Sequence, residues 1–123
     1  MQPKGLPRFC RLHLKRDFKE IIRGGIKLQY RNLSLWYRRQ ELPTSAPVRF
    51  AVVVSSKLGP AVLRNRAKRL LREAFRLNRQ YILAGTDIII NPKGCDALSD
   101  VHAAQEALKS LLGQAELLND SSN

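Results

Sequence analysis

Residues 48–79, VRFAVVVSSKLGPAVLRNRAKRLLREAFRLNR, decide the fold class of this chain. Val48 to Val54 form a nearly unbroken apolar run rich in β-branched residues, which predicts a central strand covered on both faces. Gly59-Pro60 then opens a long helix over 61–79, with Pro60 where the first turn tolerates a missing N–H. At about 100° per residue from Ala61, the residues Leu63, Ala67, Leu70, Leu71, Ala74 and Leu77 fall between about 160° and 280°. They are the expected core face. Arg64, Lys68, Arg79, Arg72, Asn65, Arg76 and Arg69 fall between about 300° and 80°, passing through zero. They form one basic face, with Phe75 the only bulky apolar residue in it. Arg66 and Glu73 share a flank.

Upstream, residues 14–23 predict a short helix, since Leu14, Phe18, Ile21 and Ile22 recur at i, i+4, i+7 and i+8. Gly24-Gly25 ends it, glycine readily taking the left-handed conformation of a helix C-terminus. Residues 27–38 read as one strand. Its apolar phase changes between Leu28/Tyr30 and Leu33/Leu35/Tyr37, which implies a bulge or burial on both faces. Pro43 to Pro47 mark a turn. Downstream, residues 86–90 form a short buried strand broken by Asn91-Pro92-Lys93-Gly94. Residues 99–112 form a last helix, with Ser99 as N-cap, Asp100 in the first turn and a stripe of Val101, Ala104, Leu108, Leu111 and Leu112. The order is α-β-β-α-β-α, the long strand being open to division into two. Such a chain packs its helices against one sheet. The domain is expected over 9–113, between a loose arm at 1–8 and a frayed polar tail at 114–123.

With 123 residues, 44% of them hydrophobic, the chain is one globular domain with a core of its own. No stretch approaches the ~20 apolar residues of a membrane span, and Met1 to Arg11 lack the apolar segment of a secretory signal. Cys10, Cys95, His13 and His102 match no metal-ligand spacing, so free thiols in a reducing compartment are expected. No paired carboxylates, catalytic triad order or phosphate-binding glycine loop is present. Asp17 and Glu20 are expected to offset neighbouring cations.

Charge is the strongest signal. The formal net charge is +12, from 22 Lys and Arg against 10 Asp and Glu. Residues 1–40 hold eleven basic and two acidic side chains, and residues 61–79 seven and one, whereas residues 80–123 hold two and six. A domain polarised in this way suits a polyanion, most plausibly nucleic acid. Aligned cations repel at i, i+4, so the helix face gains nothing from them until phosphates complete it. Arginine dominates the set, and its planar fork binds phosphate oxygens in pairs. A membrane-surface role would require the apolar face of this helix, which a small core needs. Aromatic residues also stand among cations: Phe18 beside Lys15, Arg16 and Lys19, and Tyr30, Trp36 and Tyr37 flanked by Lys27, Arg31, Arg38 and Arg39. That is the recipe for single-stranded nucleic acid, with a plain core role equally open for Phe18 and Tyr30. A duplex-DNA reading would need a helix just before residue 61, where a strand is predicted. A general RNA-binding module remains the other reading.

Residues 54–76 carry Val54-Ser55, Lys57, Gly59, then Arg64-Asn65-Arg66, Lys68-Arg69, Arg72 and Glu73. This pattern resembles the bacterial ribonuclease P protein family, and the resemblance extends over about 8–113, through Arg11-Leu12, Lys15 to Phe18, Arg49 to Val54 and Asp87 to Ile90. It implies a small α+β sandwich with one central, mostly antiparallel sheet and about three helices. Its strand–helix–strand crossover would be left-handed, against the usual rule. It implies a protein subunit, monomeric in a 1:1 ribonucleoprotein of the bacterial cytoplasm, whose catalysis resides in an RNA. The holoenzyme would remove the 5′ leader of precursor tRNA by Mg²⁺-dependent hydrolysis, with no catalytic residue and no tightly bound metal in this chain. The protein would aid leader binding and lower the Mg²⁺ requirement. By the resemblance, Arg64, Asn65, Arg66, Lys68, Arg69, Arg72 and Arg76 would dock on the catalytic RNA, and Phe18, Lys15, Trp36, Tyr37 and Lys57 would hold the leader. Ile22 stands where the family often has a second aromatic residue, and Ser56 where a basic one is common.

Overall fold

Every apolar run predicted above becomes an element, in the order α1 (Lys15–Gly24), β1 (Ile26–Tyr30), β2 (Leu33–Arg39), β3 (Arg49–Val52), α2 (Ala61–Asn78), β4 (Thr86–Pro92) and α3 (Val101–Gln114). The structure is a computed structural model that describes residues 15–39, 46–95 and 98–118. The arm at 1–8, Cys10, His13, Leu14, the start of the turn at Pro43 and the tail beyond 118 lie outside the described residues. So do the side chains of Lys15, Arg16 and Asp17.

The sheet runs β1-β2-β4-β3, so the strand expected at the centre, β3, stands at the edge, and β4 takes the inner place. β1/β2 and β2/β4 are antiparallel, and β3/β4 is the one parallel pair, joined through α2. The class is therefore α+β, with a mostly antiparallel sheet. β4 lies between two neighbours and is covered on both faces, so Ile88, Ile89 and Ile90 are all buried. Alternation along the strands divides them. Ile88, Ile90, Leu33, Leu35, Phe50 and Val52 meet α2 and α3 in the main core. Ile89 and Ala51 meet Ile21 of α1 on the other face.

Three expectations need correction. The predicted strand 27–38 is a hairpin, turning at Arg31-Asn32. Arg31 takes φ 53°, a conformation usually left to Gly or Asn, so no glycine marked the turn. The phase change arises here and not from a bulge. Gly24 and Gly25 do not take positive φ. Gly25 is required by close approach, because a Cβ there would lie 2.3 Å from the Ile21 carbonyl oxygen and 2.6 Å from that of Tyr37. The N-cap of α3 is Asp100, whose side chain accepts from the Ala103 N–H, and not Ser99.

The rotation of α2 and the reach of the domain also differ from expectation. Phe75 is fully buried, while Leu63 and Leu77 are 41% and 39% exposed. Asn78 is buried as well, its amide donating to the Ala74 carbonyl. Nor is the segment after Gly113 a tail throughout. Leu117 is buried, its carbonyl accepts from the Leu83 N–H at 2.8 Å, and Leu118 bridges Ile82. A polar composition beyond 118 concealed two leucines that close the core.

Candidate nucleic-acid interface

Once Phe75 turns inward, the outward face of α2 is narrower than the wheel suggests. Asn65, Arg69, Arg72 and Arg76 are exposed, and Arg64 and Lys68 are half-buried at its edge. The Arg64 Nε is buried with no hydrogen-bond partner among the described residues. Arg76 donates to Glu73 through Nε at 2.9 Å and Nη2 at 2.6 Å. That bond holds the Glu73 carboxyl below its ordinary range and raises Arg76. Arg66 leaves this face. Its guanidinium donates to the Leu98 carbonyl at 2.9 Å and to that of Ser99, tying α2 to the segment that leads into α3.

A second surface lies on the sheet face beneath α1. Phe18 from α1 and Trp36 from β2, far apart in sequence, both pack half-buried against the small cluster of Ile21, Ala51 and Ile89. The Lys27 ammonium sits 5.3 Å from the Trp36 ring centroid, within cation–π range. Ser34 lies two residues before Trp36 and shares its side of β2. It is buried, and its hydroxyl has no partner among the described residues.

The expected leader residues are thus dispersed. Phe18 and Trp36 come together. Tyr37 projects to the opposite face, where it packs against the main core, because neighbours on a strand point apart. Lys57 is exposed in a short 3₁₀ turn after β3. Lys15 opens α1.

Sequence reading did not single out a charged network crossing the same sheet face. Asp87 on β4 is fully buried. It accepts from the Arg38 Nε at 3.1 Å and from the Arg49 Nε and Nη2 at 2.8 and 2.9 Å. Arg38 in turn donates to Glu20 of α1 at 2.9 Å. A carboxylate taken from water requires such partners. The Arg38 pKa is raised, foremost by its bond to Glu20. The available signal was an acid at the start of the apolar run Thr86-Asp87-Ile88-Ile89-Ile90. No three His, Cys, Asp or Glu side chains converge among the described residues, and no described helix is long and apolar enough to cross a membrane.

An Arg-Asn-Arg helix behind a parallel strand pair can now be set beside known proteins. A family model described as Ribonuclease P matches residues 6–116. The chain belongs to the ribonuclease P protein family. The ribonuclease P protein component of Caldanaerobacter subterraneus subsp. tengcongensis is 30% identical over 113 residues, 92% of this chain and 95% of its own length. That of Thermotoga petrophila is 36% identical over 112 residues, 86% and 92% respectively. The solved ribonuclease P protein of Staphylococcus aureus aligns at TM-score 0.76 with 31% identity, over 89% of this chain and 98% of that one. That of Thermotoga maritima aligns at 0.71 with 34% identity, over 85% and 96%. Membership makes the chain a component of ribonuclease P, a tRNA-processing ribonucleoprotein nuclease.

Proposed function

We propose that this chain binds the catalytic RNA of ribonuclease P through the exposed cations of α2 and holds the single-stranded 5′ leader of precursor tRNA on the sheet face beneath α1. Cleavage of the phosphodiester resides in the RNA. The observation that carries this reading is the separation of two surfaces. One is an arginine row on α2. The other is Phe18 and Trp36 on one small cluster, with Lys27 over the Trp36 ring, on the opposite side of the sheet. Arginine forks suit the phosphates of a folded RNA, whereas aromatic rings beside cations suit unpaired bases.

Such a protein brings two polyanions together and screens their repulsion, substituting in part for Mg²⁺. Asp87, the buried acid of the sheet face, is occupied by two arginines. In this reading the Mg²⁺ belongs to the RNA. The complex is a 1:1 ribonucleoprotein of the bacterial cytoplasm.

Cleavage of precursor tRNA by a bacterial ribonuclease P RNA, titrated with Mg²⁺ with and without this protein, tests the proposal. The protein alone should be inert and should shift the reaction to lower Mg²⁺. Binding to the RNA with an unmoved Mg²⁺ profile would leave only a general RNA-binding module.

A further inference from the structure

We infer that the Glu20–Arg38 ion pair is a positioning device that sets α1, and with it Phe18, at the spacing from Trp36 that the leader strand requires. The inference rests on the leader-binding reading above.

α1 has ten residues, fewer than a helix needs to stand alone in water. Among the described side chains of α1, Ile21 alone is fully buried, against Ala51 and Ile89, with Phe18 half-buried on the same cluster. A second tie to the sheet is polar: the Glu20 carboxylate accepts from the Arg38 Nη1. Arg38 is itself fixed, because the fully buried Asp87 holds its Nε and is held in turn by Arg49. The network therefore links α1, β2, β4 and β3. Among the described residues it joins Arg38 and Arg49 to Glu20 and Asp87. Its anchor, Asp87, is fully buried, so the arrangement points to alignment of the helix over the sheet rather than to RNA contact.

The sign of one substitution separates the two roles. Glu20→Ala removes an acid from a strongly basic protein, and by charge alone every RNA should bind more tightly. A positioning role predicts the reverse for the leader. The test uses reconstituted holoenzyme with the full chain, measuring affinity for precursor tRNA and for mature tRNA. Glu106→Ala, an exposed acid on α3, is the charge-matched control. Trp36 is the single tryptophan, so its emission reports the packing of α1.

Expected for Glu20→Ala is a loss of precursor affinity of about two- to five-fold, the scale of an exposed ion pair. Mature tRNA should bind no more weakly than before, Trp36 emission should shift, and the unfolding midpoint should hold. Equal gains for both RNAs, equal losses for both, or no change would each overturn the inference. Phe18→Ala separates its failure from that of the underlying reading. If Phe18→Ala weakens precursor selectively and Glu20→Ala does not, only the ion pair's role falls. If Phe18→Ala spares discrimination too, the leader surface itself is wrong.

Discussion

The Phe75 ring of α2 lies stacked on the Phe50 ring of β3, with centroids 4.3 Å apart and planes 13° from parallel. This contact sets the rotation of α2. It draws a residue of the basic stripe into the core and leaves Leu63 and Leu77 partly in solvent. Phe75→Ala should cost about 3–5 kcal/mol, as for a large ring removed from a packed core. Chemical denaturation checks it, and a loss below about 1 kcal/mol would place the ring outside the core.

Arg66 and its neighbours on α2 should separate cleanly. Arg66→Ala strips two donors from the Leu98 and Ser99 carbonyls and should lower stability by about 1–2 kcal/mol. Arg69→Ala and Arg72→Ala, at exposed positions, should leave stability within about 0.5 kcal/mol. Each should instead weaken binding to the catalytic RNA and make the slope of log K against log salt shallower by about 0.7–0.9. Thermal unfolding paired with a salt series on each variant measures both.

Phe18→Ala should weaken precursor tRNA by about 1–3 kcal/mol, the scale of a lost base stack, and leave mature tRNA unchanged. Competition binding with the two RNAs gives the result. Equal weakening would assign Phe18 to the support of Ile21 alone.

The Glu73–Arg76 pair gives a pH dependence with a definite sign. The native Glu73 carboxyl lies below its ordinary value of 4.5, chiefly through the Arg76 hydrogen bond. Its contribution is therefore complete above that ordinary value and disappears as pH falls through the lowered native one. Both side chains are largely solvated, so the effect is small. The unfolding midpoint of Glu73→Gln should lie slightly below that of the wild type at about pH 6 and converge with it as pH falls through the lowered native value. A gap that persists in acid would show that the pair is not its source.

Leu117→Ala should cost about 2–5 kcal/mol, because its side chain is buried and its backbone pairs with Leu83. A change within about 0.5 kcal/mol, measured by thermal unfolding, would return residues 114–118 to the status of a tail.

Much of the architecture was legible because hydrophobic period and length report burial. Residues 48–54, 61–79 and 86–90 announced a strand, a helix and a strand, and 99–112 the last helix. The hairpin at Arg31-Asn32 was not legible, since its turn uses a non-glycine residue at positive φ. Of the candidate site, Phe18 and Trp36 stand out in the sequence as aromatics among cations, and strand alternation separates Trp36 from Tyr37.

By itself, the sequence determined the polarity of charge, the order of elements apart from the hairpin, the family motif at 64–73 and the cationic face of α2. These follow from composition and from local periodicity, which each segment carries within itself. Tertiary structure alone decided the rest: the stacking of Phe75 on Phe50, the turning of Arg66 to Leu98 and Ser99, the burial of Asp87 between two arginines, and the packing of Phe18 and Trp36 on one cluster. Each joins residues distant along the chain. A helical wheel places a side chain to within one flank, and whether that flank faces core or solvent depends on the neighbour that packs there.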